Sequence, residues 1–499
     1  MAEVSPARVG EMASGEGQLD PHRAGADRSP SGSALGDLLG PPGTTVVVSN
    51  RGPLSFSFDD AGNPVRSSSA GGLAGTIRPL LTDSGATWVS CALSDADRAA
   101  ASAGHMSAHG FRLEMVDPDP ELYRQAYDVV SNATLWFCHH HLFDGARSPR
   151  PDAGWNRAWD AYRAFNELVA ERVASVAPTG ARILVQDYHL CLVGSVLRDV
   201  RPDLRAVHFS HTPFAEPGVL AMLPDRAVAE LLAGMAAFRA CGFHARRWAD
   251  AYEACQARLG EGPPAPTFVS ALSTDPARLE EEAGSPSVSR AAAMLDRELG
   301  SSDRKLIVRV DRMELSKNVL RGFWAYDELL ARFPQWRGRV TFLALTYPSR
   351  QGLAEYAAYQ AEVESEVARI NDRWGTSDWT PVVLHVEDDF PRSLAALSRY
   401  DVLVVNPVRD GMNLVAKEGP LVNRTDGVVA LSRETGAFAE LAPAVVEVPP
   451  YDVSGTCDAL VEALEMPLAE RAKRAEAARS IITSRHPVHW LADQLRAAE

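Results

Sequence analysis

Short apolar runs rich in valine, isoleucine and leucine alternate along the chain with longer segments whose apolar residues recur at helical spacing. The short runs predict buried strands, and the longer segments predict amphipathic helices. In the first half, strands are predicted at residues 44–48, 182–185 and 206–209, and a helix at 155–176. In the second half, strands are predicted at 306–310, 340–345, 382–384, 402–405 and 428–431, and a helix at 353–374. This alternation in both halves predicts an α/β fold with two doubly wound parallel sheets.

The length and the loop composition predict how these elements divide into domains. At 499 residues the chain exceeds what one compact core usually holds, so two domains are expected. Residues 1–43 are rich in Gly, Ala, Ser and Pro without apolar periodicity, which is typical of a disordered tail. The densest Pro/Gly cluster in the rest of the chain, at 260–266, predicts a linker between domains at 44–262 and 263–485.

Composition narrows the class of protein. With 50 basic and 65 acidic residues the formal charge is −15, which argues against nucleic acid or an anionic membrane as partner. The six cysteines show no spacing typical of a metal site or a disulfide framework. No apolar run approaches the roughly 18 residues of a membrane-spanning helix, and no secretory signal is visible. These features predict a cytoplasmic enzyme.

The segment at 409–418 carries the clearest chemistry. Residues 410–414 (Asp-Gly-Met-Asn-Leu) follow the predicted strand 402–405 directly and open a helix. The free amides of Met412, Asn413 and Leu414 at a helix N-terminus predict a site for an anion such as a diphosphate. Glu418 lies about one turn further along, within reach of a ribose diol. Asp410 is placed to accept hydrogen bonds from sugar hydroxyls. The alternative is an ordinary strand-to-helix turn.

Further motifs follow other predicted strands in a fixed order. Residues 49–51 read Ser-Asn-Arg, 69–73 Ser-Ala-Gly-Gly-Leu, 186–190 Gln-Asp-Tyr-His-Leu and 211–214 His-Thr-Pro-Phe, and Asp311-Arg312 precedes Ser316-Lys317. Together with 409–418, this set resembles the trehalose-6-phosphate synthase family (glycosyltransferase family 20), retaining glycosyltransferases of the GT-B fold. The resemblance covers about residues 45–495. It implies two Rossmann-like domains facing a central cleft, with a last helix, 486–499, that returns to the first domain.

The resemblance implies a donor site for a nucleotide-glucose. Arg312 and Lys317 match the pair that binds the diphosphate, with positive side chains where other enzymes use a metal ion. Asp410 matches the carboxylate that binds the donor glucose, and Glu418 the one that binds the ribose. His211 matches a residue that contacts the donor sugar beside C1 through its ring and its carbonyl. The other implied donor contacts come from two glycine-containing loops: Gly71, Gly72, Gly411, Met412, Asn413 and Leu414.

The resemblance also implies an acceptor site for glucose 6-phosphate. Arg51 and Arg350 match arginines that bind the 6-phosphate, a role that suits the guanidinium fork. Tyr127 and Trp136 match residues that line the sugar-phosphate pocket, and Trp88 is a further candidate for the same wall. Without the family, Tyr127 and Trp136 would be typical core aromatics.

Two departures from the family pattern resemble a related branch, the pseudo-glycosyltransferase of validamycin biosynthesis, which uses a GDP-linked cyclitol. Gly419-Pro420 follows Glu418, and the proline is expected to kink the helix just after the ribose contact. Residues 314–318 read Glu-Leu-Ser-Lys-Asn where the family usually has Asp-Tyr-Ser-Lys-Gly.

A third departure bears on the nucleobase of the donor. Residues 385–390 read His-Val-Glu-Asp-Asp-Phe where the family places its base pocket. The carboxylates of Glu387 and Asp388 would suit guanine, which presents two adjacent donors, better than uracil, which presents one donor between two acceptors. This favours GDP-glucose over UDP-glucose. Alternatively, the acids are a solvated loop or cap the next helix.

The expected reaction transfers glucose from the nucleotide to glucose 6-phosphate and gives α,α-trehalose 6-phosphate. The resemblance implies retention through attack on one face of the sugar, with no metal or other cofactor. In that scheme Asp187 holds the acceptor hydroxyls and orients the attacking oxygen. The implied catalytic residues are Asp187, His211, Arg312, Lys317 and Asp410.

Alternatives of the same fold are a pseudo-glycosyltransferase, a glucosylglycerol-phosphate-type synthase, or a catalytically silent protein that binds a sugar phosphate. His139-His140-His141 is not expected to hold a metal ion, because successive residues of an extended segment point to opposite faces. The family leads us to expect a homodimer or homotetramer and closure of the domains on substrate.

Overall fold

The computed structural model describes residues 39–41, 43–67, 72–102, 106–300, 303–350 and 352–499. The predicted tail, 1–43, lies outside the described residues except at its end. There Leu39 is buried, and its carbonyl accepts a hydrogen bond of 2.9 Å from the Thr45 hydroxyl. Packed structure therefore begins earlier than the predicted boundary at residue 44.

The first sheet and its helices occupy the first half of the chain. Its strands, in chain order and including the β2–β3 hairpin beside it, are β1 (Thr45–Val48), β2 (Ser55–Phe58), β3 (Pro64–Ser67), β4 (Thr87–Cys91), β5 (Met106–Ala108), β6 (Phe111–Val116), β7 (Arg182–Gln186), β8 (Arg205–Ser210), β9 (Ala240–Phe243) and β10 (Thr267–Val269). The helices are α1 (Gly72–Leu81), α2 (Asp95–Ser102), α3 (Pro120–Arg124), a π-helix (Gln125–Leu135), α4 (Trp136–His139), α5 (Ala153–Val176), a 3-10 turn (Tyr188–Leu190), α6 (Val193–Val200), α7 (Pro217–Leu220), α8 (Asp225–Ala236) and α9 (Arg246–Leu259).

The second sheet follows with the same alternation. Its strands are β11 (Lys305–Arg312), β12 (Val340–Tyr347), β13 (Val382–Val386), β14 (Val402–Val405), β15 (Val428–Ser432) and β16 (Val446–Val448). The helices are α10 (Pro276–Ala283), α11 (Pro286–Leu299), a 3-10 turn (Leu315–Lys317), α12 (Val319–Arg332), a 3-10 turn (Pro334–Trp336), α13 (Ala354–Trp374), α14 (Phe390–Leu397), α15 (Val415–Val422), α16 (Phe438–Leu441), a 3-10 turn (Ala442–Ala444), α17 (Val453–Glu465), α18 (Leu468–Thr483) and α19 (Pro487–Ala497).

The strand order confirms the predicted α/β class with two doubly wound sheets. Among the described residues the first sheet runs β10-β9-β8-β7-β1-β4-β6-β5, and the second runs β13-β12-β11-β14-β15-β16. Every neighbouring pair is parallel except the edge pair β5–β6, which is antiparallel. Buried β-branched runs such as 402–405 (Val-Leu-Val-Val) are typical of strands covered by helices on both faces. Apolar clusters accordingly cover both faces of each sheet.

The boundary predicted at 262/263 is one strand too early. Strand β10 pairs in parallel with β9, with Thr267 opposite Cys241, so it belongs to the first sheet. The Pro/Gly cluster at 260–266 is the turn between α9 and β10, because prolines and glycines mark any sharp turn. The chain instead crosses to the second sheet between β10 and α10, at residues 270–275.

The last helix, α19, packs against the first sheet although it follows every element of the second. Trp490 and Leu491 are buried in the apolar cluster that covers β1, β7 and β8. The side-chain amide of Gln186, at the end of β7, donates to Gln494 Oε1 over 2.9 Å. The chain therefore crosses between the sheets twice, at 270–275 and at 484–486.

The described helices include none that combines the length and the apolarity needed to cross a membrane. All six cysteines are buried free thiols.

Candidate active site in the cleft between the sheets

The candidate residues lie at the carboxyl ends of strands from both sheets, which is where ligands bind in parallel α/β sheets. Asp187 follows β7 and His211 follows β8 in the first sheet, whereas Arg312 ends β11 and Arg350 follows β12 in the second. Contacts between the two groups, given below, show that both strand edges border one cleft.

In the loop at 410–414, three successive carbonyls accept hydrogen bonds and four successive amides are free. The carbonyls of Asp410, Gly411 and Met412 accept hydrogen bonds from Gly436 N, Trp248 Nε1 and Ala437 N over 3.0, 3.0 and 2.9 Å. Within the part of the chain that the structure describes, the N–H groups of residues 411–414 have no acceptor. These amides precede α15, which begins at Val415. The predicted anion site therefore has a set of unpaired donors at a helix N-terminus.

Gly411 allows this loop to approach the first sheet. A Cβ atom at Gly411 would lie 1.9 Å from the carbonyl oxygen of His211, so no other residue fits without moving the backbone. The 410–414 loop of the second sheet and the end of β8 in the first sheet are thus in direct contact.

Lys317 and Asp410 form a close ion pair beside the free amides. Lys317 Nζ lies 2.6 Å from Asp410 Oδ2 and 3.8 Å from Asp311 Oδ1. Asn413 Nδ2 donates to the same Asp410 oxygen over 3.1 Å. Burial acts to raise the pKa of Asp410, but the charge and hydrogen bond of Lys317 outweigh it and lower that pKa. Asp410 is therefore ionised, and its second oxygen can accept from a sugar hydroxyl.

Glu314 holds together the two arginines assigned to different substrates. Its side chain is fully buried, and Oε1 lies 3.0 Å from Arg312 Nη1 and 2.8 Å from Arg350 Nη1. The Ser349 hydroxyl donates to the same oxygen over 2.7 Å. Burial acts to raise the pKa of Glu314, but the two guanidinium groups outweigh it, so the pKa is lowered. One carboxylate thus orients both arginines, which are predicted to bind different substrates.

Arg350 also bridges the cleft. Its Nε donates to Asn132 Oδ1 over 3.0 Å, and its guanidinium carbon lies 4.0 Å from the centre of the Trp136 ring. Both partners belong to the first half of the chain, at the end of the π-helix. Tyr127, in the same π-helix, is half-buried and stacks on His189 at 5.6 Å. The structure therefore brings Arg350, Trp136 and the π-helix together. Arg51, the other arginine predicted to bind the 6-phosphate, follows β1 and is exposed.

Asp187 has an unusual backbone conformation at the end of β7. Its φ of +73° lies in a region that non-glycine residues rarely adopt, and such residues cluster at functional sites. One carboxylate oxygen accepts from the His211 N–H over 3.1 Å. Burial raises the pKa of Asp187 to about 6, against the hydrogen bonds from Tyr188 and His211 that lower it. Asp187 is thus a partly buried carboxylate whose pKa lies well above its usual value.

His211 is held by protein partners at both ring nitrogens. The side-chain NH₂ of Gln186 donates to Gln494, so the atom of Gln186 that faces His211 is the acceptor Oε1. His211 therefore donates its Nε2–H to Gln186 Oε1 over 3.0 Å. His211 Nδ1 then accepts from His244 Nε2–H over 3.2 Å. Burial and the neighbouring His244 lower the pKa of His211 well below its usual value, so the ring is neutral. Both ring nitrogens thus have protein partners, and the contact of His211 with the donor sugar stays a prediction.

Glu418 lies on α15, as predicted, and is partly buried. Burial and then the charge of Glu282 raise its pKa to about 7. Pro420 lies inside the same helix, which continues to Val422. The proline thus falls in the last turn of an eight-residue helix rather than in the middle of a long one.

The acidic loop at 387–389 is largely engaged by protein groups. Asp389 caps α14 by accepting from Arg392 N over 2.9 Å, and Glu387 pairs with the Arg392 side chain. Asp388 is exposed. Asp389 therefore caps the next helix, as the alternative to a base pocket predicted. Of the three acids, only Asp388 has neither a capping role nor an ion pair with Arg392.

Trp88 does not line the cleft, so its prediction as part of the acceptor site is wrong. It is fully buried in β4, and its indole N–H donates to the Ser49 hydroxyl over 2.8 Å. Strand alternation turns this side chain into the core, so it does not line the cleft. Gly71 lies outside the described residues, and Gly72 is the first residue of α1.

The three consecutive histidines have separate partners. His139 Nδ1 accepts from Ala215 N over 3.1 Å, whereas the His140 ring stacks on Trp136 at 3.9 Å. His141 lies 3.4 Å from Arg409 Nη1. Across the described residues, no group of three or more His, Cys, Asp or Glu side chains is arranged to hold a metal ion.

Sequence reasoning missed four residues that organise the site: Asn132, His244, Trp248 and Glu314. His244 and Glu314 follow β9 and β11, so their positions at strand ends were a usable signal. Trp248 lies inside α9 and Asn132 inside the π-helix, where nothing in the local pattern marks them.

Comparisons with known proteins agree with this geometry. The sequence model of Glycosyltransferase family 20 matches residues 43–499. A trehalose-6-phosphate synthase of Klebsiella pneumoniae is 33% identical over 467 residues, covering 90% of this chain and 93% of the relative. A bifunctional trehalose-6-phosphate synthase/phosphatase of Thermoproteus tenax is 31% identical over 470 residues, covering 90% of this chain. The match spans only 62% of that longer relative.

Solved structures give the same result. A structure from E. coli, described as bound with UDP-2-fluoro glucose, superimposes with a TM-score of 0.79 at 28% identity. The superposition covers 91% of this chain and 99% of the E. coli chain. An α,α-trehalose-phosphate synthase (UDP-forming) from Burkholderia xenovorans in complex with glucose-6-phosphate also gives 0.79, at 26% identity, covering 91% and 100%.

Proposed function

The chain belongs to glycosyltransferase family 20, and we propose that it transfers glucose from a nucleotide-glucose to glucose 6-phosphate, forming α,α-trehalose 6-phosphate. The observation that carries the proposal is the shared cleft. On the proposed donor side lie four free amides and the Lys317–Asp410 pair. Glu314 joins Arg312, proposed to bind the donor, to Arg350, proposed to bind the acceptor. The site thus has positive groups for a diphosphate next to a guanidinium suited to a phosphorylated sugar.

We propose that the reaction retains configuration by attack on the face that the phosphate leaves. Arg312, Lys317 and the amides stabilise the charge that develops on the leaving diphosphate. The leaving phosphate oxygen takes the proton of the acceptor hydroxyl, and the ionised Asp187 aligns that hydroxyl. Asp410 holds the donor glucose, and Glu418 the ribose.

No metal ion is required in this scheme, because the cationic side chains supply the charge. Turnover is expected to be unchanged after dialysis against EDTA. Loss of activity that Mg²⁺ restores would contradict the scheme.

We further propose a cytoplasmic homodimer or homotetramer, which light scattering on the purified protein would test.

The choice of nucleobase in the donor, guanine or uracil, is a separate question. The preference for GDP-glucose now rests on Asp388, because Arg392 engages its two acidic neighbours. Several of the similar proteins are described as UDP-forming, which supports uracil. We propose that both donors turn over and that Asp388 gives GDP-glucose the advantage. Asp388→Asn is expected to reduce that advantage, and an unchanged ratio of kcat/KM values would remove the argument.

The deciding experiment measures nucleotide release from GDP-glucose and from UDP-glucose, with glucose 6-phosphate as acceptor and the sugar product identified. Trehalose 6-phosphate from either donor supports the proposal. Turnover only with glycerol 3-phosphate or an amine-bearing cyclitol would assign one of the alternative activities. Tight binding of both substrates without any turnover would indicate a silent sugar-phosphate-binding protein.

A further inference from the structure

Three successive carbonyls of the 410–414 loop, those of Asp410, Gly411 and Met412, each accept a hydrogen bond. Asp410 O and Met412 O accept from backbone N–H groups of residues 436 and 437, which belong to the same half of the chain. The carbonyl between them, Gly411 O, accepts from the indole N–H of Trp248 over 3.0 Å, and Trp248 lies on α9 beside the first sheet. The middle peptide of the loop is therefore oriented from across the cleft.

The orientation of each carbonyl fixes the amide that follows it. A trans peptide is planar, so the C=O of one residue and the N–H of the next point in opposite directions. Holding Gly411 O against Trp248 therefore turns the Met412 N–H away from Trp248, among the free amides of the loop. Without the indole donor, the Gly411 carbonyl loses its hydrogen-bond partner, and the peptide loses the interaction that fixes its orientation.

Trp248 is itself fixed. It is fully buried, and the guanidinium carbons of Arg247 and Arg409 lie 4.4 and 4.6 Å from its ring centre. Arg409 Nη2 donates to Phe214 O over 2.8 Å, and Arg247 Nη1 donates to Arg433 O over 2.9 Å. Each arginine thus crosses between the halves of the chain and covers one side of the indole.

Close packing leaves the Gly411 carbonyl little room to find another donor. A Cβ atom at Gly436 would lie 1.9 Å from Gly411 O, so the loop is packed backbone to backbone at this point. Trp248 Nε1 is the donor that reaches it. Loss of the indole N–H therefore leaves a buried carbonyl without a donor, which costs free energy and disfavours the observed orientation of the Gly411–Met412 peptide.

We propose that Trp248 is a positioning residue for the donor diphosphate: its indole N–H holds the Gly411–Met412 peptide so that the Met412 amide faces the phosphate. This inference rests on the proposed function of the loop as the diphosphate site. It makes nucleotide affinity depend on a hydrogen bond between the two halves of the molecule. Acceptor affinity does not depend on it, because Arg51 and Arg350 lie outside this network.

The test removes the N–H and keeps the ring. Trp248→Phe is expected to weaken binding of UDP and of GDP about 5- to 30-fold by titration calorimetry, the range for a hydrogen bond lost in a buried site. The dissociation constant of glucose 6-phosphate should change less than about twofold. Incorporation of 3-benzothienylalanine at position 248 replaces only the N–H by sulfur, so it answers the same question if the phenylalanine variant does not fold.

Trp379→Phe is the matched control. Trp379 is also buried and donates its indole N–H to a backbone carbonyl, Val340 O at 3.0 Å, but at the start of β12 and away from the cleft. It should lower stability and leave nucleotide binding unchanged. Unaltered UDP and GDP binding by both Trp248 variants would overturn the inference. Absence of nucleotide binding by the unmodified protein would instead overturn the proposed function.

Discussion

Asp187 combines a strained backbone with a carboxylate whose pKa is raised, and both features follow from its place at the end of β7. The φ of +73° turns the chain sharply into the 3-10 turn Tyr188–Leu190, so the carboxylate faces the His211 amide. Burial dominates the pKa shift to about 6. The residue assigned to the acceptor hydroxyl is therefore only partly ionised in mildly acidic solution.

Activity should fall below pH 6 because the proposed role of Asp187 requires the carboxylate. In Asp187→Asn, kcat is expected to drop about 100-fold through lost alignment, and the acid limb of kcat/KM near pH 6 should disappear. Glucose 6-phosphate also titrates near pH 6, so an acid limb that persists in the variant would assign the limb to the substrate.

Thermal unfolding gives a second measure of the same pKa. Because the folded pKa lies above the ordinary 3.8, the folded state binds the extra proton between these values, and stability falls as pH rises from 3.8 to about 6. Asp187→Asn should remove that loss and raise the midpoint of unfolding at pH 8. A lower midpoint would contradict the shift.

Glu314 should matter to both substrates, because it is the shared partner of Arg312 and Arg350. Glu314→Gln leaves two guanidinium groups close together without a neutralising charge, and breaking a buried ion pair in this way costs about 3 to 5 kcal/mol. Steady-state kinetics should show higher KM values for nucleotide-glucose and for glucose 6-phosphate. Denaturant unfolding should show the loss of stability.

Glu328→Gln is the control for this variant. Glu328 pairs with Arg332 over 2.8 Å on the outer face of α12, where a surface ion pair contributes less than about 1 kcal/mol. It should leave both KM values unchanged. If Glu314→Gln altered the KM of only one substrate, the shared role would be wrong.

At the scale of single residues, the sequence predicted which charged groups lie at strand ends but not what they bond to. The Glu314–Arg350 pair joins positions 36 residues apart, and the Trp248–Gly411 bond joins positions 163 apart. The first pair depends on the pairing of β11 with β12 and the second on how the two halves meet, and no local pattern contains either. Trp88 was misassigned for the same reason, since a strand residue can face the cleft or the core.

Secondary-structure elements were predictable where their hydrophobicity was uniform. The strands of the second sheet from β11 to β15 and the helices α5 and α13 occupy the predicted ranges to within a few residues. Strand β9 (Ala-Cys-Gly-Phe) was missed because small residues give it a weak apolar signal. The 260–266 turn was taken for a linker because turn chemistry alone does not show which sheet the next strand joins.

Helix α15 carries Glu418, the proposed ribose ligand, and its packing depends on Gly419. A Cβ atom there would lie 2.3 Å from Leu403 Cδ2 in the core beneath β14. Gly419→Ala is therefore expected to push α15 outward, lower the free energy of unfolding by about 1 to 3 kcal/mol, and weaken UDP binding as Glu418 moves. Calorimetric titration and denaturant unfolding measure the two effects.

Pro420→Ala is the neighbouring control, because it changes the same turn of α15 without adding volume beneath it. It should leave nucleotide binding unchanged and should not lower stability, since the proline lacks an N–H for the helix. Equal losses of UDP affinity in the two variants would show that helix geometry, not the contact with Leu403, determines the position of Glu418.

For the whole molecule, the two sheets are joined by more than the covalent crossings. Arg350, Trp248 and Arg409 each bond across the cleft, and α19 supplies buried residues to the core of the first sheet. The hydrogen-bond chain from Gln494 through Gln186 and His211 to His244 links that helix to the site. Sequence reasoning reached the α19 return only through the family resemblance, since nothing in the helix itself identifies its partner.

We therefore expect the protein to unfold in one calorimetric transition, with the stability of both sheets depending on α19. Trp490 is fully buried, with its ring centre 5.2 Å from that of Phe209 and 5.6 Å from that of His211. Trp490→Ala should cost about 3 to 5 kcal/mol and lower the midpoint of the single transition. Trp324→Ala, at a tryptophan that is 38% exposed, should change stability far less. Two transitions, of which Trp490→Ala shifts only one, would show that the sheets unfold independently and that cross-cleft bonds such as Trp248–Gly411 form between separately stable units.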